Sequence, residues 1–213
     1  AAAHRYPDVA AFGSRLLSHA DPTRLDGAGD FLTLAGKPGR RGHGLPAHGR
    51  FLQGEAIFSP CAAAALYRTR ALAEVGGFDE SFFCYVEDVD LAFRLLLAGY
   101  GARYVPESVV WHRGMATFRS VFGQTGCDQL ALRNTLLFQW KNLRHPAHLI
   151  RQLLGLPLRL AVDLARAPWT RPGERWAFCR ALVAAWRHWH GRHEARGSEP
   201  GAWDGHTRLE REF

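Results

Sequence analysis

The chain has 213 residues, 47% of them hydrophobic and 22% charged, which describes a folded domain and excludes a disordered tail. Four cysteines, Cys61, Cys84, Cys127 and Cys179, form no C-x-x-C pair, so neither a disulfide scaffold nor a cysteine zinc site is expected. The longest uncharged stretch, residues 56–67, is 12 residues long, too short for a spanning helix, and a secretory signal peptide at the start is not expected.

Residues 9–13 are small and apolar and read as a short strand. Residues 35–50 hold five glycines and two prolines and read as a long loop. His43 and His48 lie in it without a rigid scaffold and read as surface histidines. Residues 60–67 read as a buried strand, and residues 69–75 as a short helix stopped by Gly76 and Gly77. Residues 85–98 read as a strong helix, acidic at its start, apolar through its body and ended by Gly99. Residues 101–105 and 108–111 read as strands around Pro106. Loop, strand, helix and strand in this order are α/β or α+β material. From Cys127 onward helices dominate.

The net charge of +7 is unevenly spread. Residues 1–132 carry 13 basic and 13 acidic residues, residues 133–193 carry 11 and 2, and residues 194–213 carry 3 and 5. These shifts divide the chain into residues 1–126, a basic Trp-rich helical extension over 127–193, and a polar tail over 194–213. In residues 143–166, Arg144, Arg151, Arg159 and Arg166 fall within one helical sector of roughly 80°. Pro157 should bend that helix. A second helix over 174–190 sets Phe178, Leu182, Trp186 and Trp189 against Arg180 and Arg187. A narrow basic stripe beside a wide apolar face fits a helix lying in an anionic membrane surface, and equally a helix pair packed on protein with its arginines outside. Nucleic acid is not an expected partner, because no recognition motif accompanies the charge.

The chemistry concentrates in residues 75–112. Glu87, Asp88 and Asp90 open the strong helix. They compensate a helix dipole, and they follow Phe82, Phe83 and Tyr85, which would desolvate a carboxylate and improve it as a base. Trp111 is expected in the core. The order Gly76-Gly77-Phe78-Asp79-Glu80, Phe82-Phe83, Glu87-Asp88-Val89-Asp90-Leu91, Arg94, Ala98-Gly99-Tyr100, Val105-Pro106-Glu107, His112 and Thr117 resembles the C-terminal half of the catalytic domain in family 2 glycosyltransferases. Those enzymes have the GT-A (Rossmann-like) fold, and the bacterial rhamnosyltransferase-like subgroup is the nearest.

That resemblance implies an α/β half-domain followed by amphipathic helices, and an inverting transfer of sugar from a nucleotide-diphosphate donor to a glycan or lipid-linked hydroxyl. Asp88 would be the general base, with Glu87 orienting the acceptor or the base. Phe78 and Asp79 would shape the acceptor side. His112 would complete a divalent metal site for Mn²⁺ or Mg²⁺, expected only where the family's Asp-x-Asp nucleotide-binding half is present, and Asp90 would pair with Arg94 at i+4. The family's earlier Asp-x-Asp motif has no counterpart, since the only such spacing is Asp88-Val89-Asp90. Residues 59–61 read Ser-Pro-Cys where a Ser-Gly is usual. The chain therefore reads as the half of a catalytic domain that lacks its nucleotide-binding βαβ part, cytoplasmic and peripheral at the inner face of a bacterial plasma membrane. The rival reading is a non-catalytic half-domain that binds membrane or a protein partner through its basic helices.

Overall fold

In the computed structural model, residues 2–33, 36–114, 116–142, 180–181 and 183–187 are described. A short helix α1 (Ala2–Arg5) leads into strand β1 (Val9–Ser18), followed by β2 (Leu25–Gly27), β3 (Asp30–Leu32), β4 (Pro38–Arg40) and β5 (Ala56–Ile57). Strand β6 (Ala65–Tyr67), helix α2 (Thr69–Glu74), helix α3 (Glu87–Leu97), strand β7 (Gly101–His112) and helix α4 (Ala116–Asn142) complete the order. The main sheet runs β2-β1-β7-β5, with β6 also on β1; β3 and β4 form a separate hairpin.

The first strand extends five residues beyond the short one expected, because its second half finds partners in β2 and in β7. β1 and β7 run parallel from Val9↔Gly101 to Ser18↔His112. The two strands expected around Pro106 are one strand with a bulge: Ser14 opposes Val105 and Arg15 opposes Val109. Proline has no N–H for a ladder, and the bulge is where a sheet tolerates it. Beyond the bulge, Trp111 is 60% exposed, so it is not the core residue expected.

The glycine-rich stretch expected to be a loop carries real structure. The β3–β4 hairpin sets Asp30 opposite Arg40. A 3-10 turn, Gly49–Leu52, sends Phe51 into a cluster with Leu17, Leu25, Ala28 and Tyr104, where the Tyr104 hydroxyl donates to the Phe51 carbonyl at 3.0 Å. On another side of β1, Ala10 and Ala11 meet Ala71, Val75, Leu91 and Leu95 from α2 and α3.

Helix α2 stops where the sequence says it should. Gly76 and Gly77 take φ of 77° and 69°, and the Gly77 N–H bonds back to the Leu72 carbonyl at 2.8 Å. Helix α3 begins two residues later than expected, since Tyr85 and Val86 hold φ of 68° and 70°. Helix α4 crosses positions 126 and 127 and is kinked at Gly123. Its Leu137 and Phe138 pack with Phe82 and Val89.

A fully buried carboxylate ties these helices together. Asp90 accepts from Arg94 Nε at 2.9 Å, the expected i+4 pair, and from Lys141 Nζ and Asn142 Nδ2 of α4 at 2.9 and 2.8 Å. Arg94 also donates to the Val75 carbonyl at 2.6 Å, and Lys141 to Asp79 at 2.8 Å.

The arginines 144, 151, 159 and 166 lie outside the described residues, as does most of the second amphipathic helix. Residues 180–181 and 183–187 are helical, with Ala181 and Ala185 buried. Trp186, expected on the apolar face, is 55% exposed. Among the described residues no helix is long and apolar enough to cross a membrane.

Asp90→Ala would leave Arg94 and Lys141 as buried cations without their shared carboxylate. A stability loss of about 3–5 kcal/mol is expected from urea unfolding. A loss within experimental error would show that the network does not hold the helices.

Candidate active site

Asp88 sits in the first turn of α3, and the fold grips both of its oxygens. Oδ2 accepts the Ala62 N–H at 3.0 Å and Oδ1 accepts the Val89 N–H at 2.9 Å. Its backbone carbonyl takes the hydroxyl of the fully buried Ser59 at 3.2 Å. The carboxyl is buried, and burial pushes its pKa up against the pull of these N–H groups and of Arg40.

Its neighbours share that environment. Glu87 is pushed up to about 7, first by burial and then by the charge of Asp88. Asp30 is pushed up to about 7 by burial and by Asp88, against the opposing pull of Arg40. Cys61 is pushed up to about 12, chiefly by burial, so it stays a thiol. Ligand atoms of Asp30, Cys61 and Asp88 lie within 4.8 Å of one another.

Arg40 is the cation of this cluster. Its guanidinium donates to Cys61 Sγ at 3.2 Å and to Asp26 Oδ2 at 3.0 Å, and stands 3.6 Å from Asp30. Asp26 in turn accepts His112 Nδ1 at 2.8 Å. One arginine thus joins the Asp88 pocket to His112, the two parts of the site that the motif pattern proposed separately.

The launch of α3 is strained. Phe83, Tyr85 and Val86 all have positive φ, a conformation that β-branched and aromatic residues rarely adopt. Helix α4 holds them there. The fully buried Asn134 amide donates to the carbonyls of Phe82, Cys84 and Tyr85 at 2.8, 2.7 and 2.8 Å, and Arg133 donates to those of Ser81 and Phe82.

Two further predicted residues, Asp79 and Phe78, make contacts of their own. Asp79 caps the Glu80–Phe82 turn, accepting from Ser81, and its other oxygen binds Lys141. Its carboxylate is thereby engaged in the fold. Phe78 is 41% exposed and stacks edge-on against Tyr67, with ring centres 5.7 Å apart. The Tyr67 hydroxyl and Glu87 Oε2 are buried without a hydrogen bond among the described residues. The Tyr67 hydroxyl is held protonated by burial and by the charge of Asp88.

The motif reading missed Asp26, Asp30, Arg40, Cys61 and Tyr67. Their signal is present in the sequence as two acids bracketing a Gly-Ala-Gly and an Arg pair ten residues on. Only the hairpin register reveals that they face each other.

A divalent cation can be tested against these donors. His112 suits one: with Nδ1 donated to a carboxylate, Nε2 carries the lone pair and has no hydrogen bond among the described residues. The Asp30–Cys61–Asp88 group does not suit Mg²⁺ or Mn²⁺. It offers a protonated thiol where these ions favour oxygen or imidazole, and Arg40 already brings positive charge to it.

Glu87 and Asp88 thus stand at the N-terminus of a helix packed on a mixed sheet, an α/β arrangement that gathers carboxyls of raised pKa in one place. Residues 43–188 match the profile of glycosyl transferase family group 2, and the chain belongs to that family, with an α/β fold of the GT-A kind. An N-acetylglucosaminyl-diphospho-decaprenol L-rhamnosyltransferase of Mycobacterium tuberculosis is 53% identical over 47 residues, 22% of this chain and 15% of that protein. Rhamnosyltransferase WbbL of Escherichia coli is 41% identical over 59 residues, 28% of this chain and 22% of that protein. The matched segments therefore span less than a quarter of either relative.

Two outcomes follow from the buried groups. Asp30 and Glu87 bind protons more tightly folded than unfolded, so folding stability falls as pH rises from about 4 through about 7. Melting temperatures across that range should show the fall, and Asp30→Asn with Glu87→Gln should reduce it, Asp88 supplying what remains. Tyr67→Phe removes a hydroxyl that has no partner among the described residues, so the free protein should melt at the same temperature or higher. A clear loss would mean that the hydroxyl is bonded in solution.

Proposed function

We propose that the chain is the acceptor-side half of an inverting glycosyltransferase catalytic domain. It would act with a nucleotide-binding half to move a sugar from a nucleotide-diphosphate donor to a hydroxyl of a cell-envelope glycan or lipid-linked acceptor. The observation that carries this is Asp88: a buried carboxyl with a raised pKa, fixed by two backbone N–H groups at a helix start. A base poised nearer neutrality than an ordinary aspartate is what removal of a sugar hydroxyl proton needs.

In this reading Asp88 accepts the acceptor's proton as the hydroxyl oxygen bonds to the anomeric carbon. The bond from that carbon to the diphosphate breaks on the opposite face, so configuration inverts and the diphosphate leaves with the electron pair. Glu87, whose Oε2 has no hydrogen bond among the described residues, orients the acceptor or the base. Phe78 offers an exposed ring beside Tyr67 for the sugar's apolar face, while Asp79 shapes that side through the turn it caps. His112 would hold a divalent metal, Mn²⁺ or Mg²⁺, which when bound stabilises the charge of the leaving diphosphate. The names of both relatives favour rhamnose as the sugar, and that of the mycobacterial one favours a polyprenyl-diphosphate acceptor.

The test is transfer by the full-length native protein from nucleotide-diphosphate sugars, rhamnose included, to polyprenyl-diphosphate N-acetylglucosamine. Asp88→Asn should lower turnover by about 10²–10⁴-fold. Activity retained in that variant overturns the base assignment. The 213-residue chain alone should show no turnover, and Asp88-dependent transfer by it would overturn the half-domain reading.

A second reading rests on the single Asp-x-Asp spacing and on the basic extension. It makes the chain a non-catalytic half-domain bound to membrane or a partner. The sequence expectation that Arg144, Arg151, Arg159 and Arg166 share one helical face would give a surface for anionic lipid at the inner face of the plasma membrane, with packing on protein as the alternative. Flotation with liposomes containing anionic lipid should be lost on truncation after Asn142, which keeps the α4 contacts to Asp90, and in neutral liposomes. Equal flotation of the truncated chain removes the membrane role.

A further inference from the structure

Three strands bring Asp26 and His112 together. β2 pairs with the end of β1, β1 pairs with β7, and His112 is the last residue of β7, opposite Ser18. The Asp26 side chain is 11% exposed and that of His112 is 27% exposed. Asp26 Oδ2 accepts both His112 Nδ1 at 2.8 Å and the Arg40 guanidinium at 3.0 Å. Gly114 lies against the other oxygen, where an added Cβ would stand 3.4 Å from Oδ1. The carboxylate is held from two segments, by Arg40 of β4 and His112 of β7, so its place is not set by His112 alone.

An ionised carboxylate can only accept a hydrogen bond. The proton on the His112 ring must therefore lie on Nδ1, and in the neutral ring the lone pair lies on Nε2. We propose that Asp26 is a positioning residue: it fixes His112 in the Nδ1–H tautomer and leaves Nε2 as a ligand for a divalent cation, while Arg40 fixes Asp26. This rests on the reading of His112 as a metal ligand. It goes beyond that reading in assigning Asp26 and Arg40, which no motif marks. A carboxylate behind a ligating imidazole orients the ring and raises its basicity, and its loss typically weakens metal binding about 10–100-fold.

The test needs neither donor nor acceptor. The full-length native protein is labelled with ¹⁵N-histidine, and long-range ¹H–¹⁵N spectra read the tautomer of His112, assigned by comparison with His112→Ala. The wild-type ring is expected to be protonated on Nδ1. In Asp26→Asn the Nε2–H form is expected to appear, and Asp26→Glu should restore the Nδ1–H form.

Mn²⁺ titration, followed by paramagnetic broadening of the His112 signals, gives the second readout. At least tenfold more Mn²⁺ is expected to be needed in Asp26→Asn than in wild type. Thermal melts establish that the variants are folded, and the wild-type tautomer decides the matter even where one variant is not.

An Nε2–H ring in the wild type overturns the positioning role outright. So does a folded Asp26→Asn that binds Mn²⁺ as tightly as wild type. An Nδ1–H ring that Mn²⁺ never broadens instead removes the metal-ligand reading of His112, and the assignment of Asp26 to metal positioning falls with it.

Discussion

The carboxylate of Asp90 is the point on which the rest of this structure depends. It has no exposed surface, and it is satisfied by a guanidinium from its own helix and by an ammonium and an amide from α4. Through Arg94 the same network reaches the glycine turn after α2, and through Lys141 it reaches Asp79. A buried charge without partners is costly, so α3 and α4 are stable in one mutual position. That position sets Asn134 beside the residues before α3.

The consequence is felt two residues before Asp88. Phe83, Tyr85 and Val86 hold left-handed backbone that their side chains disfavour, and each such residue costs of order 1–3 kcal/mol. Asn134 offsets this by capping three of the carbonyls that the twisted chain exposes. The twist presents Glu87 and Asp88 together at the open end of a helix, against Ala62 and Ser59. The placement of Glu87 and Asp88 is thus a property of α4 as much as of the motif that contains them.

Much of this was legible in the sequence, for reasons that differ by residue. The Asp90–Arg94 pair follows from helical spacing, and the α2 stop follows from two glycines, because both are local. The Glu-Asp pair was legible because aromatics and acids adjoin. Asp26, Asp30 and Arg40 were not, since their meeting depends on hairpin and sheet register and the surrounding glycines read as loop. Trp111 was misplaced because a bulge at Pro106 changes which way the following residues face. Asp79 looked like an acceptor residue from its motif, and the structure adds that its carboxylate caps a turn and binds Lys141. Its part in acceptor binding would act through that turn.

The parallel pairing of β1 with β7 has a further meaning in the order of synthesis. Val9 cannot meet Gly101 until nearly a hundred intervening residues have been made. Those residues include the Arg40 hairpin and the Asp88 helix. Contacts so distant in sequence form late and slow folding. A nascent chain that stops short of β7 would carry every acid of the pocket with no sheet to assemble them on, and with β1 an open edge able to pair with another chain. The site and protection from misassembly would then arrive together, in the same stretch of translation.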